Sequence, residues 1–349
     1  MAFSDTCGNA LAKNILRKGL QKGRIPNSLL FTGPEGVGKM ETALVLAKAL
    51  NCLKKSDDSC DECANCRAID RGAFPDVLNL ISEKEMAEKY PETFEGGKNG
   101  KKPKENISID QLREMKQTAH LRPMLGRKRV FLIGQAEQID LTSSNTLLKI
   151  LEEPPLFTHI ILLSDNPYSI VPTIRSRCQI LSFSAISRED VEDQLKRNGC
   201  GEQKARLISI LARGNLKQAF HMSGEDVPDE RKLSWIFLLA LLTGEGSGEL
   251  LKDFTSSRKE FREELVRMLE IMLTFIRDVM LLQGGGESSR LLNPDYALLL
   301  SGLAGRMSRD RILEFIGSLE RSLSAVRKKA NLNCLVSELF AEWMEKSYA

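Results

Sequence analysis

Two groups of residues in this 349-residue chain have the types and spacing to do chemistry. The first is Gly33-Pro34-Glu35-Gly36-Val37-Gly38-Lys39-Met40. A glycine turn between an apolar run and a helix-period segment lets backbone N–H groups wrap a phosphate, and the helix N-terminus adds a favourable dipole. Gly33, Gly36, Gly38 and Lys39 are therefore candidate phosphate-binding residues. The residue after the lysine should bring a hydroxyl to Mg2+, yet position 40 is Met, a thioether with no affinity for a hard cation. The second magnesium support, acids at the end of a later apolar strand, is missing as well: Val130-Phe131-Leu132-Ile133 runs into Gly134-Gln135. Glu137 and Asp140 follow, but strand geometry puts them past the tip. Hydrolysis of a nucleotide is not expected. Lys39 and the glycine amides either keep a weak hold on ATP or ADP, or the turn is retained for its shape alone.

The second group is Cys52, Cys60, Cys63 and Cys66, spaced C-x7-C-x2-C-x2-C. Two-residue gaps bring three thiolates into one compact turn, and the longer loop returns the fourth. Four thiolates close a tetrahedron around Zn2+ and leave no open position, so the expected metal is structural rather than water-activating. Four unrelated thiols, or redox chemistry, are the alternatives. Cys7, Cys178, Cys200 and Cys334 lie apart and are expected to be buried structural thiols.

The elements that must position these residues alternate in type as far as residue 183. Strand-length apolar runs occur at 28–32, 76–81, 129–133, 159–163 and 178–183, separated by helix-period segments such as 40–50 and 142–153. That pattern predicts a parallel sheet covered by helices. Residues 82–106 are too polar to bury anything and predict an excursion from the fold. Beyond Ser184 strand signals stop, which predicts a small helical lid over 184–226 and an all-helical domain over 228–349. Composition narrows the class further. Fifty basic against 47 acidic residues leave a formal charge of +3, too little for a strongly basic nucleic-acid-binding face. Lys13, Arg17 and Lys18 interrupt the N-terminal apolar pattern, so no secretory signal is expected; no stretch approaches eighteen consecutive apolar residues, so no membrane span is expected, and the protein is expected in the cytoplasm.

Several segments together resemble the bacterial clamp-loader branch of the AAA+ ATPases. They are Leu29 to Lys39, the four cysteines, Phe74-Pro75-Asp76-Val77, Ser144 to Pro155 with its Leu-Glu-Glu-Pro-Pro ending, and Thr173-Ile174-Arg175-Ser176-Arg177-Cys178. The resemblance implies an α/β, RecA-like parallel sheet over 1–183 with a zinc module at 52–66, a helical lid, and a helical collar. It also implies partners: gamma/tau and delta subunits in a pentameric hetero-oligomer, which acts on a sliding clamp and primed DNA. Within the branch, the Met at 40 and the missing acids at 134 and 135 favour the non-hydrolysing delta-prime type over an active gamma/tau ATPase. With its end at 349, the chain is also expected to lack the long extra segments of a tau form.

By the same resemblance Arg177 is an arginine finger for a neighbouring subunit's ATP, whereas Arg175 packs locally. Ser164 or Asp165 corresponds to a position that senses nucleotide, and Lys217 stands where a lid arginine is expected. Leu323, Val326, Leu332, Leu335, Leu339 and Trp343 form an apolar stripe that serves either the collar or an internal core. An active ATPase in which Glu137 or Asp140 holds magnesium, and a zinc-containing DNA-binding or repair module, are the competing readings.

Overall fold

A computed structural model describes residues 2–54, 57–82, 107, 109–139, 141–224, 227–243, 261–287, 290–328 and 330–347. The polar stretch after Ser82 and Asp140 lie outside the described residues. Five strands, β1 (Ser28–Thr32), β2 (Val77–Leu80), β3 (Arg129–Ile133), β4 (Thr158–Ser164) and β5 (Gln179–Ser182), form one parallel sheet in the order β2-β3-β4-β1-β5. Every residue of β1, β3 and β4 is buried, as continuous apolar runs covered on both faces must be. The edge strands β2 and β5 carry the exposed positions. Helices α1 (Ala10–Gln21), α2 (Lys39–Asn51), α3 (Ala64–Asp70), α4 (Ile109–Ala119), α5 (Leu141–Glu152) and α6 (Pro172–Arg175) alternate with the strands. Leu30, Phe131, Ile160 and Leu162 of the sheet share one core with Leu112 and Met115 of α4 and Leu147 and Ile150 of α5.

The five expected strands are present, with shifted ends. β2 is shorter than the apolar run 76–81 because Asp76 turns its carboxylate to three loop amides, those of Met124, Leu125 and Gly126, at 2.7–2.8 Å, and to Arg129 Nη2 at 2.9 Å. β4 is longer than expected by a residue at each end, Thr158 and Ser164, both buried. α5 stops before Pro154-Pro155, as two residues without an N–H require.

The chain divides into two compact units, residues 1–194 with 213–218, and residues 195–212 with 219–349. The first holds the sheet. The described part of the second is all helical: α7 (Arg188–Arg197) ends in it, and α8 (Glu202–Leu211), α9 (Leu216–Gly224), α10 (Val227–Thr243), α11 (Phe261–Gln283), α12 (Ala297–Ala304), α13 (Arg309–Arg327) and α14 (Leu332–Ser347) follow. The result is the α/β architecture expected, a parallel sheet followed, among the described residues, by helices alone. Leu323, Val326, Leu335, Leu339 and Trp343 of the expected stripe are buried in the second unit, with the Trp343 and Phe315 rings 4.5 Å apart, and are internal core, whereas Leu332 is half-buried. Among the described residues no helix is long and apolar enough to cross a membrane.

Candidate functional site: a closed phosphate loop, a thiol cluster and an exposed arginine

A parallel sheet delivers every post-strand turn to one edge, the usual place for a site. Here β1 lies between β4 and β5, and its register pairs Thr32 with Ser164 on one side and Ser182 on the other. The glycine turn after β1 therefore sits beside Asp165 and Phe183. Gly33 N–H donates to Ser164 O at 3.2 Å, and with φ +147° its missing side chain would fall 2.1 Å from Phe183 O, so only glycine fits. Gly36 (φ +71°) faces a second obstruction. A Cβ there would lie 1.7 Å from Asn215 Oδ1, and Leu216 N–H donates to Gly36 O at 2.8 Å. Gly38 (φ +88°) starts α2.

Lys39, the first residue of α2, has a side chain only 8% exposed. Its Nζ donates to Gly33 O at 2.6 Å and Pro34 O at 2.5 Å, and pairs with Asp165 Oδ1 at 2.6 Å. Of the two candidates for the sensing position, Asp165 is therefore the one that faces the lysine. Ser164 is buried and its Oγ accepts from Asn166 N–H. Gly134 is buried after β3, Gln135 is exposed, and no acid occupies either place. Glu137 lies on a short 3-10 turn beyond them, and its Oε1 is 3.5 Å from Asp165 N. Lys217, expected in the role of a lid arginine, pairs with Glu35 at 3.0 Å on the surface of the turn.

The opposite end of α2 leads to the thiols. Cys52 follows its last residue, and the Sγ atoms of Cys52, Cys60, Cys63 and Cys66 all lie within 4.8 Å of one another, Cys60 and Cys66 at 4.0 Å. Four sulfurs at about 2.3 Å from one ion would stand about 3.8 Å apart, so small side-chain adjustments close a tetrahedron. Local backbone builds the turn: Cys63 N–H donates to Cys60 Sγ at 3.3 Å, and Cys63 Sγ caps α3 by accepting from Cys66 N–H at 3.5 Å. Burial raises the Cys63 thiol, but the N–H groups of Leu53 and Cys66 and the adjoining thiols outweigh it and bring it down to about 6; burial pushes Cys66 up to about 12. A soft, oxygen-free donor set with one readily formed thiolate can hold a metal ion.

Arg177 lies between α6 and β5 with 36% of its side chain exposed. Its Nη2 donates to Glu152 Oε1 at 2.8 Å and its Nη1 to Thr173 O at 3.0 Å. Glu152 belongs to the Leu-Glu-Glu-Pro-Pro segment, so the two most specific motifs of the sequence meet. Arg175 packs locally as expected, over the Tyr168 ring at 5.8 Å and on Pro167 O at 3.3 Å. The sequence offers Asp165 only as a sensing position and Asp76 only within Phe74-Pro75-Asp76-Val77; their partners, like that of Asn215, are set by sheet register and loop return.

The family model described as DNA polymerase III, delta subunit, matches residues 8–187, and a C-terminal model of the same description matches 249–344. The chain belongs to the DNA polymerase III delta-subunit family. It is similar to subunit delta' of Bacillus subtilis, 28% identical over 328 residues and 93% of each chain, as the sequence resemblance implied. Subunit tau of the same organism is 26% identical, over 80% of this chain and 50% of its own. A DNA polymerase III gamma subunit-related protein of Thermotoga maritima aligns over 96% of this chain and 99% of its own, with a TM-score of 0.45 and 18% identity.

Proposed function

We propose that this chain is a non-hydrolysing, delta-prime-like subunit of the DNA polymerase III clamp loader. It assembles with gamma/tau and delta subunits into a pentameric ring that loads the sliding clamp on primed DNA in the cytoplasm. The observation that carries the reading is the glycine turn, in which Met40, Gly134 and Gln135 offer magnesium neither the hydroxyl nor the carboxylate it would need and Lys39 is already engaged. Residues 1–183 supply the nucleotide-binding-like domain, 184–226 a lid and 228–349 the collar. Zn2+ on Cys52, Cys60, Cys63 and Cys66 would knit the segment after α2 to α3 and take no part in chemistry.

Arg177 is the residue lent to a neighbour. A guanidinium is always charged, and its planar fork matches phosphate oxygens. Its present partner Glu152 is half exposed, and surface pairs contribute at most about 1 kcal/mol, so exchanging Glu152 for a phosphate costs little. The test is ATP hydrolysis by a gamma-type ATPase mixed with delta and this chain, wild type or Arg177→Ala. An arginine finger contributes on the order of 10^3-fold or more at the site it serves. The variant should therefore lose the turnover that wild type adds, and equal turnover would overturn the assignment.

One feature favours the active gamma/tau-like reading: Glu137 Oε2 is buried without a hydrogen-bond partner among the described residues. Its Oε1 contacts the Asp165 amide, whereas Asp165 itself is the acid at Lys39.

A further inference from the structure

Missing magnesium ligands account for a lack of hydrolysis, but they leave phosphate binding open, since glycine amides and a lysine hold phosphates without a metal. Three observations bear on binding itself. An ammonium group has three N–H donors, and those of Lys39 are taken by Gly33 O, Pro34 O and Asp165 Oδ1, all at 2.5–2.6 Å. Two of these partners are carbonyls of the glycine turn itself. An anion placed at the lysine would meet their negative ends in addition to the carboxylate. Finally, Asn215 and Leu216 close the turn at Gly36, the carboxamide filling the space beside it.

Sheet register delivers Asp165. Thr32 and Ser164 are paired across β1 and β4, so the residue that follows β4 emerges beside Gly33 whichever rotamer the lysine adopts.

We propose that Asp165 is an internal phosphate surrogate, a carboxylate fixed at the place on Lys39 that a nucleotide phosphate would need, so that the loop excludes phosphates by competition from within the chain. The proposal rests on the non-hydrolysing reading of the same site but concerns occupancy, whereas Met40, Gly134 and Gln135 concern turnover. Asp165 acts through Lys39 and is a positioning residue.

The probe is sodium tripolyphosphate without magnesium, followed by calorimetry on the full-length chain, with ADP as a second titrant. Wild type and Asp165→Glu, which keeps the charge, should bind both titrants only weakly. Asp165→Asn should gain about tenfold or more in affinity, the size of one charge-assisted hydrogen bond released to the ligand, and adding Lys39→Ala should abolish the gain. Asp165→Asn binding no tighter than wild type, or wild type binding equally well, would overturn the proposal.

Should the variant fail to fold, acylation of wild-type lysines read by mass spectrometry decides the matter. Lys39 should react at least about tenfold more slowly than the exposed Lys217 if its three donors are held, and equal rates would refute it. ATP cleavage by Asp165→Asn would count against the non-hydrolysing reading alone, leaving the surrogate intact.

Discussion

At the N-terminal end of α2, Lys39 is 8% exposed and turns back onto its own loop and Asp165; toward the other end, Lys48 is 1% exposed and is held by Asp61 at 2.5 Å and Asp70 at 3.0 Å. The two buried ammonium groups do opposite things for the sites beside them. Lys39 and its partners fill the glycine turn. Lys48 ties Asp61, in the cysteine loop, to Asp70 of α3, and so holds open the turn in which four thiols converge. The lysine of the glycine turn is turned inward onto its own loop and Asp165, whereas the four sulfurs converge within 4.8 Å of one another.

The strongest way to break the comparison is at the thiols. Zinc-finger-type sites bind Zn2+ with about 10–16 kcal/mol, so a Cys66→Ala variant should lose its metal, and proteolysis should cut first within 52–66. Atomic absorption should find one zinc per wild-type chain, and a metal-free wild type of equal stability would remove the contrast.

Next in size is the support behind the cysteine end. Asn51 closes α2 and accepts from Arg127 and Lys128 N–H at 2.9 Å, while buried Asp76 holds Met124 to Gly126 and Arg129. Asp76→Asn leaves Arg129 buried without its counter-charge and should cost about 3–5 kcal/mol in denaturant unfolding.

A smaller effect sharpens the loop end. His159 lies on β4, the strand that delivers Asp165, and burial lowers its imidazole from 6.5 to about 4, with Nδ1 on Pro26 O at 3.0 Å. Between those values the unfolded chain binds the extra proton, so stability is complete above pH 6.5 and falls as pH drops toward 4, by up to about 3 kcal/mol. Urea midpoints for His159→Gln should show a flatter profile over that window.

Much of this was legible in the sequence. Continuous apolar runs gave β1, β3 and β4 because strands buried on both faces admit no alternation, and Pro154-Pro155 gave the end of α5. The cysteine spacing was enough to foresee convergence, since two-residue gaps constrain the thiols locally. What could not be seen depends on contacts across the fold. The closing of Lys39 by Asp165 needs the β1–β4 register, the filling of Gly36 needs a return from residue 215, and the shortening of β2 needs Asp76 to reach amides some fifty residues ahead. The stripe at 323–343 kept two readings because periodicity marks a buried face without naming what buries it.

The central claim, that this chain lends its chemistry and performs none, is tested most directly by ATP turnover of the purified chain alone with Mg2+. The account predicts a rate indistinguishable from buffer, unchanged by Lys39→Ala. Turnover above that level, abolished by Lys39→Ala, would contradict it.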